Sequence, residues 1–176
     1  MYEGFQYISD HGILRRSAYK DFDRSNIGSC QADNNQLSRQ AVMKDIGYVE
    51  HDGRTNEQLR ELVNKQPISI GFKTTGMLNS YNSGILTESY LRCSTGGEVN
   101  HGILLVGFGS RTNESVASGK CQDYWIIRNS WGSDWGEQGF FKICADGLGS
   151  SETPQGTCLI NKYSVWPTMS KADIEK

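Results

Sequence analysis

Two apolar segments, the second ending in a Trp-Gly turn, constrain this chain more than any other feature. The first opens on a histidine: Val99-Asn100-His101-Gly102-Ile103-Leu104-Leu105-Val106-Gly107-Phe108-Gly109. The second closes on an asparagine: Tyr124-Trp125-Ile126-Ile127-Arg128-Asn129-Ser130-Trp131-Gly132-Ser133-Asp134-Trp135-Gly136. Apolar runs of this length between glycine-rich turns predict strands. Three further runs, at residues 68–70, 139–143 and 161–165, have the same character. A sheet or barrel, mainly antiparallel, is therefore expected after Pro67.

The front of the chain reads differently. Residues 2–11 place Tyr2, Phe5 and Ile8 on one face of a short amphipathic helix, which Gly12 ends. Residues 15–38 are polar and turn-rich, and residues 46–49 predict a strand. Thr55 and Gln58 form a capping box for a helix whose apolar face is Leu59, Leu62 and Val63 and which Pro67 stops. The fold class is α+β. Residues 110–122 predict a polar loop that includes the sequon Asn113-Glu114-Ser115. The tail from Ser170 to Lys176 is charged.

Composition removes several function classes. The formal net charge is -2 over 176 residues, and no basic stripe exists to neutralise phosphates, so no nucleic-acid partner is expected. The longest apolar stretch, Ile103 to Val106, is too short for a membrane span. Met1-Tyr2-Glu3-Gly4 lacks the features of a signal peptide, so any targeting segment of a secreted or vesicular protein is expected upstream. His11, His51 and His101 lack metal-ligand spacing, and neither a metal nor a cofactor is expected. The five cysteines contain no C-x-x-C pair, and their odd number leaves one thiol without an internal partner in an oxidising compartment.

His101 and Asn129 are the candidates for chemistry, with an ordinary strand-edge histidine and a turn asparagine as the other reading. A sheet pairing their strands brings the Asn129 amide oxygen to the imidazole N–H, which fixes tautomer and ring orientation without adding charge. Trp131 is placed to cover that bond and lower the local dielectric. Such a pair calls for a cysteine thiol, whose pKa the imidazolium lowers well below its free value of about 8.5.

With these residues the chain resembles the papain-like cysteine peptidases, the family of papain and cathepsins L and B. The resemblance runs from Glu3-Gly4-Phe5-Gln6-Tyr7-Ile8 to Trp166-Pro167. Its strongest motifs are Val99-Asn100-His101-Gly102, Asn129-Ser130-Trp131-Gly132 and Trp135-Gly136-Glu137-Gln138-Gly139. It implies a papain-like fold: residues 1–40 as part of a helical left-hand domain, 41–167 as the β-barrel right-hand domain, and 168–176 as a tail. It implies that His101 is the catalytic histidine, Asn129 its orienting partner and Trp131 the shield. Trp135 then lines the leaving-group side of the cleft. Gly71, Val99, Asn100 and Tyr163 border the pocket for the second residue before the scissile bond. In that pocket Gly71 is expected to leave space and Tyr163 to shorten it or to offer a hydroxyl to a polar side chain, with medium apolar or aromatic side chains favoured.

The resemblance also implies a Cys93–Cys158 disulfide. The predicted hairpin of residues 124–128 and 139–143 separately brings Cys121 and Cys144 to its open end. The family's glutamine and Cys-Gly-Ser-Cys-Trp nucleophile motif do not occur here. Cys30 remains: in the family the cysteine of this region pairs with one in the missing front part, and a free thiol is the other reading.

Two functions follow as expectations. One is the His/Asn-bearing chain of a peptidase whose nucleophile comes from a missing N-terminal segment or a companion chain. It acts on peptides or proteins, meets protein inhibitors, and works in a lysosomal, vacuolar or secreted setting. The other is a catalytically inactive papain-like module that serves as a structural or binding part of a larger assembly.

Overall fold

A computed structural model describes residues 1–11, 47–93, 97–110, 121–146 and 155–168. The Cys30 region, the sequon and the charged tail lie outside the described residues. Three α-helices are present among them: α1 (Tyr2–His11), α2 (Asn56–Val63) and α3 (Glu88–Leu91). The strands are β1 (Gly47–Asp52), β2 (Ile68–Phe72), β3 (Ile85–Leu86), β4 (His101–Ser110), β5 (Asp123–Arg128), β6 (Phe140–Cys144) and β7 (Tyr163–Thr168). They form one sheet in the order β1-β7-β2-β4-β5-β6-β3. The chain divides into two compact units, and Glu50–Trp166 is the one that holds every residue of the site described below.

The sheet follows the period-two rule along its strands. Ile68, Ile70 and Phe72 of β2, Leu105 of β4, Trp125 and Ile127 of β5, and Phe141 and Ile143 of β6 have no exposed surface. Their common face makes the core, and Leu59 and Val63 of α2 are buried with it. Thr55 caps α2 as a capping box: its side chain accepts from Gln58 N–H, and the Gln58 side chain accepts from Thr55 N–H. The pairs β2–β4, β2–β7, β4–β5 and β5–β6 are antiparallel. This is the mainly antiparallel sheet expected, with β3 running parallel to β6 as the exception. β3 has two residues, too few to show a hydrophobic pattern of its own.

Two features of β4 and β5 position the site. His101 pairs with Phe72 at one end of β4, and Leu104 pairs with Arg128 at the end of β5. A bulge between Leu105 and Gly107 then shifts the register, so that Phe108 faces Trp125. Beyond Arg128 the chain turns back, and the Asn129 N–H donates to Gly139 O at 2.9 Å. Gly136 sits inside that turn at φ 58°, where an added Cβ would lie 2.7 Å from Phe140 O.

Disulfides join Cys93 to Cys158 and Cys121 to Cys144, with Cα separations of 5.2 and 5.7 Å. Two such bridges fit an oxidising compartment. No described helix is long and apolar enough to cross a membrane.

Candidate active site

Cross-strand pairing brings the two ends of the sequence pattern together. His101 opens β4 and Asn129 follows β5, its strand neighbour. His101 Nε2 lies 2.9 Å from Asn129 Oδ1. The same oxygen accepts the Ser130 N–H at 2.8 Å. A backbone N–H can only donate, so this second bond identifies the atom as the amide oxygen rather than the nitrogen. The imidazole nitrogen facing it must therefore carry a proton. In the neutral ring, Nδ1 is then the nitrogen with the free lone pair. Asn129 is 6% exposed, so the bond is formed in a largely dry setting.

The tryptophans stack outward from this pair. The Trp131 ring lies 5.6 Å from the imidazole, inclined at 33°. It meets Trp135 edge-on at 4.9 Å. Trp135 packs on Tyr81 and Phe141 and donates from Nε1 to Asn79 O at 3.2 Å. Trp131 itself is 38% exposed, so the ring beside the imidazole lies at the solvent boundary.

The residues expected at the specificity pocket are also gathered. A Cβ on Gly71 would sit 2.8 Å from Val99 Cγ1 and 3.4 Å from Tyr163 Cβ. The Gly71 backbone and the Val99 side chain are thus in close approach, which any larger residue at 71 would disturb. Asn100 is held by reciprocal bonds, accepting from Thr74 N–H at 2.8 Å and donating to Thr74 O at 3.1 Å. The Lys162 ammonium lies 5.1 Å over the Tyr163 ring. A separate depression of about 440 Å³ borders Asn129 and Ser130 beside Gly102–Leu104, but neither His101 nor the Gly71 cluster lines it.

All four described cysteines are disulfide-bonded, so none offers a thiol to His101. Cys121, Cys144 and Asp146 lie close enough together to suggest a metal site. The two sulfurs are bonded to each other, and the Asp146 carboxylate accepts from the Gln122 and Asp123 N–H groups, which leaves no free ligand set.

Nothing local in the sequence gives Tyr81 or Asn79 a role, and Glu137 stands out only as part of the Trp-Gly motif. Glu137 accepts from the Tyr81 hydroxyl at 2.9 Å and from Gly84 N–H at 3.0 Å, and its second oxygen meets Lys142 Nζ at 3.1 Å. Burial works to raise this carboxyl. The bonds from Lys142, Tyr81 and Gly84 outweigh it and hold the group below the ordinary glutamate value. The signal available in sequence was a polar residue inside a Trp-Gly turn. Its partner lies 56 residues away, beyond any local pattern.

The family model described as "Papain family cysteine protease" matches residues 1–168. The chain is 30% identical over 167 residues to probable cysteine protease RDL2 of Arabidopsis thaliana, covering 94% of this chain and 41% of that protein. It is 32% identical over 143 residues to procathepsin L of Mus musculus, covering 81% of this chain and 39% of that protein. The chain thus spans about two fifths of the length of these curated relatives. Among solved structures, the bromelain protease from Ananas comosus in complex with the E64 inhibitor superposes with a TM-score of 0.73 at 25% identity. That match covers 96% of this chain and 69% of bromelain.

Proposed function

The chain belongs to the papain family of cysteine proteases, and on that premise we propose that it supplies the base and its orienter to a peptidase that works through a thiolate acyl-enzyme. The nucleophilic cysteine comes from an N-terminal segment or companion chain outside these 176 residues. The observation that carries this reading is the Asn129 oxygen, which takes both His101 Nε2–H and Ser130 N–H. It leaves Nδ1 as the nitrogen able to take a proton. The disulfides at all four described cysteines support an external thiol.

The reaction follows from that assignment. Nδ1 takes the thiol proton, giving a thiolate–imidazolium pair, while Nε2–H stays on Asn129. The thiolate attacks the peptide carbonyl carbon. Collapse of the tetrahedral species breaks the C–N bond, and Nδ1–H protonates the leaving amine. Water then attacks the thioester with Nδ1 as base, releasing the acid and restoring the thiol. Proton transfer by a positioned imidazole contributes about 10²–10⁴-fold.

In this reading Trp131 and Trp135 border the leaving-group side. Gly71, Val99, Asn100 and Tyr163 border the pocket for the second residue before the scissile bond. Val99 filling the space over Gly71 supports a shallow pocket for medium apolar or aromatic side chains. Residues 1–40 belong to a helical left-hand domain, 41–167 to the β-barrel domain and 168–176 to a tail. Cys30 pairs with the external segment. The setting is lysosomal, vacuolar or extracellular, with peptides or proteins as substrates and protein inhibitors as further partners.

The test is intact-mass analysis of the native material with and without reductant, followed by labelling with an epoxide inhibitor of the E64 type. The expected result is a second segment or chain carrying the labelled cysteine. A single unlabelled chain of these residues would overturn the proposal and leave the inactive structural or binding module. In the assembled enzyme, His101→Ala should abolish turnover and leave assembly intact.

A further inference from the structure

The reaction above makes no use of the polar tether between the Trp-Gly turn and residues 80–84. Trp131 is exposed over more than a third of its surface, and among the described residues its ring partners are His101 and Trp135. Whatever fixes Trp135 therefore bears on how Trp131 meets the imidazole. The turn is open to solvent at Gly132, Ser133 and Asp134, while Trp135 packs on Tyr81 and Phe141 and backbone bonds close it from Gly139 N–H to Trp135 O and from Glu137 N–H to Phe140 O.

Side-chain polar bonds add to these contacts. Glu137, two residues after Trp135, accepts from the Tyr81 hydroxyl and from Gly84 N–H, and pairs with Lys142. The Tyr81 oxygen is also 2.8 Å from Gly84 O and receives the Lys142 N–H at 3.3 Å. One phenolic proton thus serves two acceptors, the carbonyl and the carboxylate. The Tyr81 ring lies 5.6 Å from Trp135, inclined at 43°, so the residue that binds Glu137 by its hydroxyl also packs on the indole. Together these contacts connect Tyr81 to Trp135, Trp135 to Trp131, and Trp131 to His101.

We propose that Tyr81 and Glu137 are positioning residues for the His101–Asn129 pair. Their hydrogen bond fixes the Trp-Gly turn, and the two tryptophans pass that placement to the imidazole plane. The inference rests on the reading of His101 as a base oriented by Asn129.

The chain as it stands can be tested by NMR of the neutral His101 imidazole, read as the ratio of the Nε2–H to the Nδ1–H tautomer. Acrylamide quenching of tryptophan emission is measured alongside. Tyr81→Phe and Glu137→Ala should each lower the tautomer ratio about fivefold, the order of one hydrogen bond's net preference, and should raise quenching. Glu137→Gln, which keeps an oxygen for Tyr81 and Gly84, should recover most of the ratio. Val63→Ala in α2 is the control: it should lower the melting temperature and leave ratio and quenching unchanged.

The proposal is overturned if Tyr81→Phe and Glu137→Ala behave like Val63→Ala. Asn129→Ala separates the two levels. If it leaves the ratio unmoved, the reading of the pair itself fails, and the proposal with it. If it shifts the ratio while the Tyr81 and Glu137 variants do not, only the positioning role is lost.

Discussion

The Asn129 side chain meets its neighbours through one atom. Its oxygen accepts two N–H groups, and the Ser130 bond prevents the amide from presenting its nitrogen to the ring. Asn129→Ala removes an oriented acceptor without adding charge. In the assembled enzyme, kcat/KM should fall by roughly 10- to 100-fold, the equivalent of losing a buried hydrogen-bond partner, and steady-state kinetics checks it. Gly71 makes a different prediction, because its role is steric. Gly71→Ala drives a methyl to within 2.8 Å of Val99 Cγ1 and should cost about 1–3 kcal/mol in chemical denaturation. Adding Val99→Ala removes the clash, so the double variant should unfold at higher denaturant than Gly71→Ala alone.

Helices and strands were legible in the sequence where their determinants are local. The α2 start needs only Thr55 and Gln58, three residues apart, and Thr55→Ala should cost about 1 kcal/mol in denaturant unfolding. The long strands β4 and β5 declare themselves by apolar runs. By contrast, β3 and α3 span two and four residues, and each depends on its surroundings for stability. The His101–Asn129 pair was legible because a single strand pairing creates it. The Tyr81–Glu137 tether was not, because nothing near either residue specifies the other. Its carboxylate makes a pH prediction. A carboxyl held below its ordinary value stabilises the fold above that value, and the contribution is lost as pH falls through the folded-state value. Melting temperature should therefore hold from neutral pH to about 5 and fall below the ordinary glutamate value of about 4.3. Glu137→Gln should flatten part of that fall. Asp123 should supply some of the remainder: its carboxyl is lowered by the Ser110 hydroxyl, against burial, with help from Arg60.

At the scale of the molecule, the two cross-links among the described residues restrain the unfolded chain over unequal spans. Cys93–Cys158 closes 65 residues and Cys121–Cys144 closes 23. Loop-closure entropy grows with span, so replacing the first pair by serines should cost about 4 kcal/mol and the second about 3 kcal/mol. Denaturant midpoints of the two double variants give the order, and the reverse order would show that native-state effects dominate.

The shorter cross-link has a second consequence. The β5–β6 hairpin is paired residue for residue from Tyr124–Cys144 to Arg128–Phe140, with Cys121–Cys144 at its open end and Asn129 N–H on Gly139 O at the other. Side chains alternate faces along a strand, so one residue added between Cys121 and Asn129 reverses every side chain beyond it, while the cross-link keeps the extra length from sliding out. The spacing from Cys121 to Asn129 thus behaves as a ruler. Where β5 is paired with β6, one residue inserted between Tyr124 and Arg128 should displace Asn129 from His101.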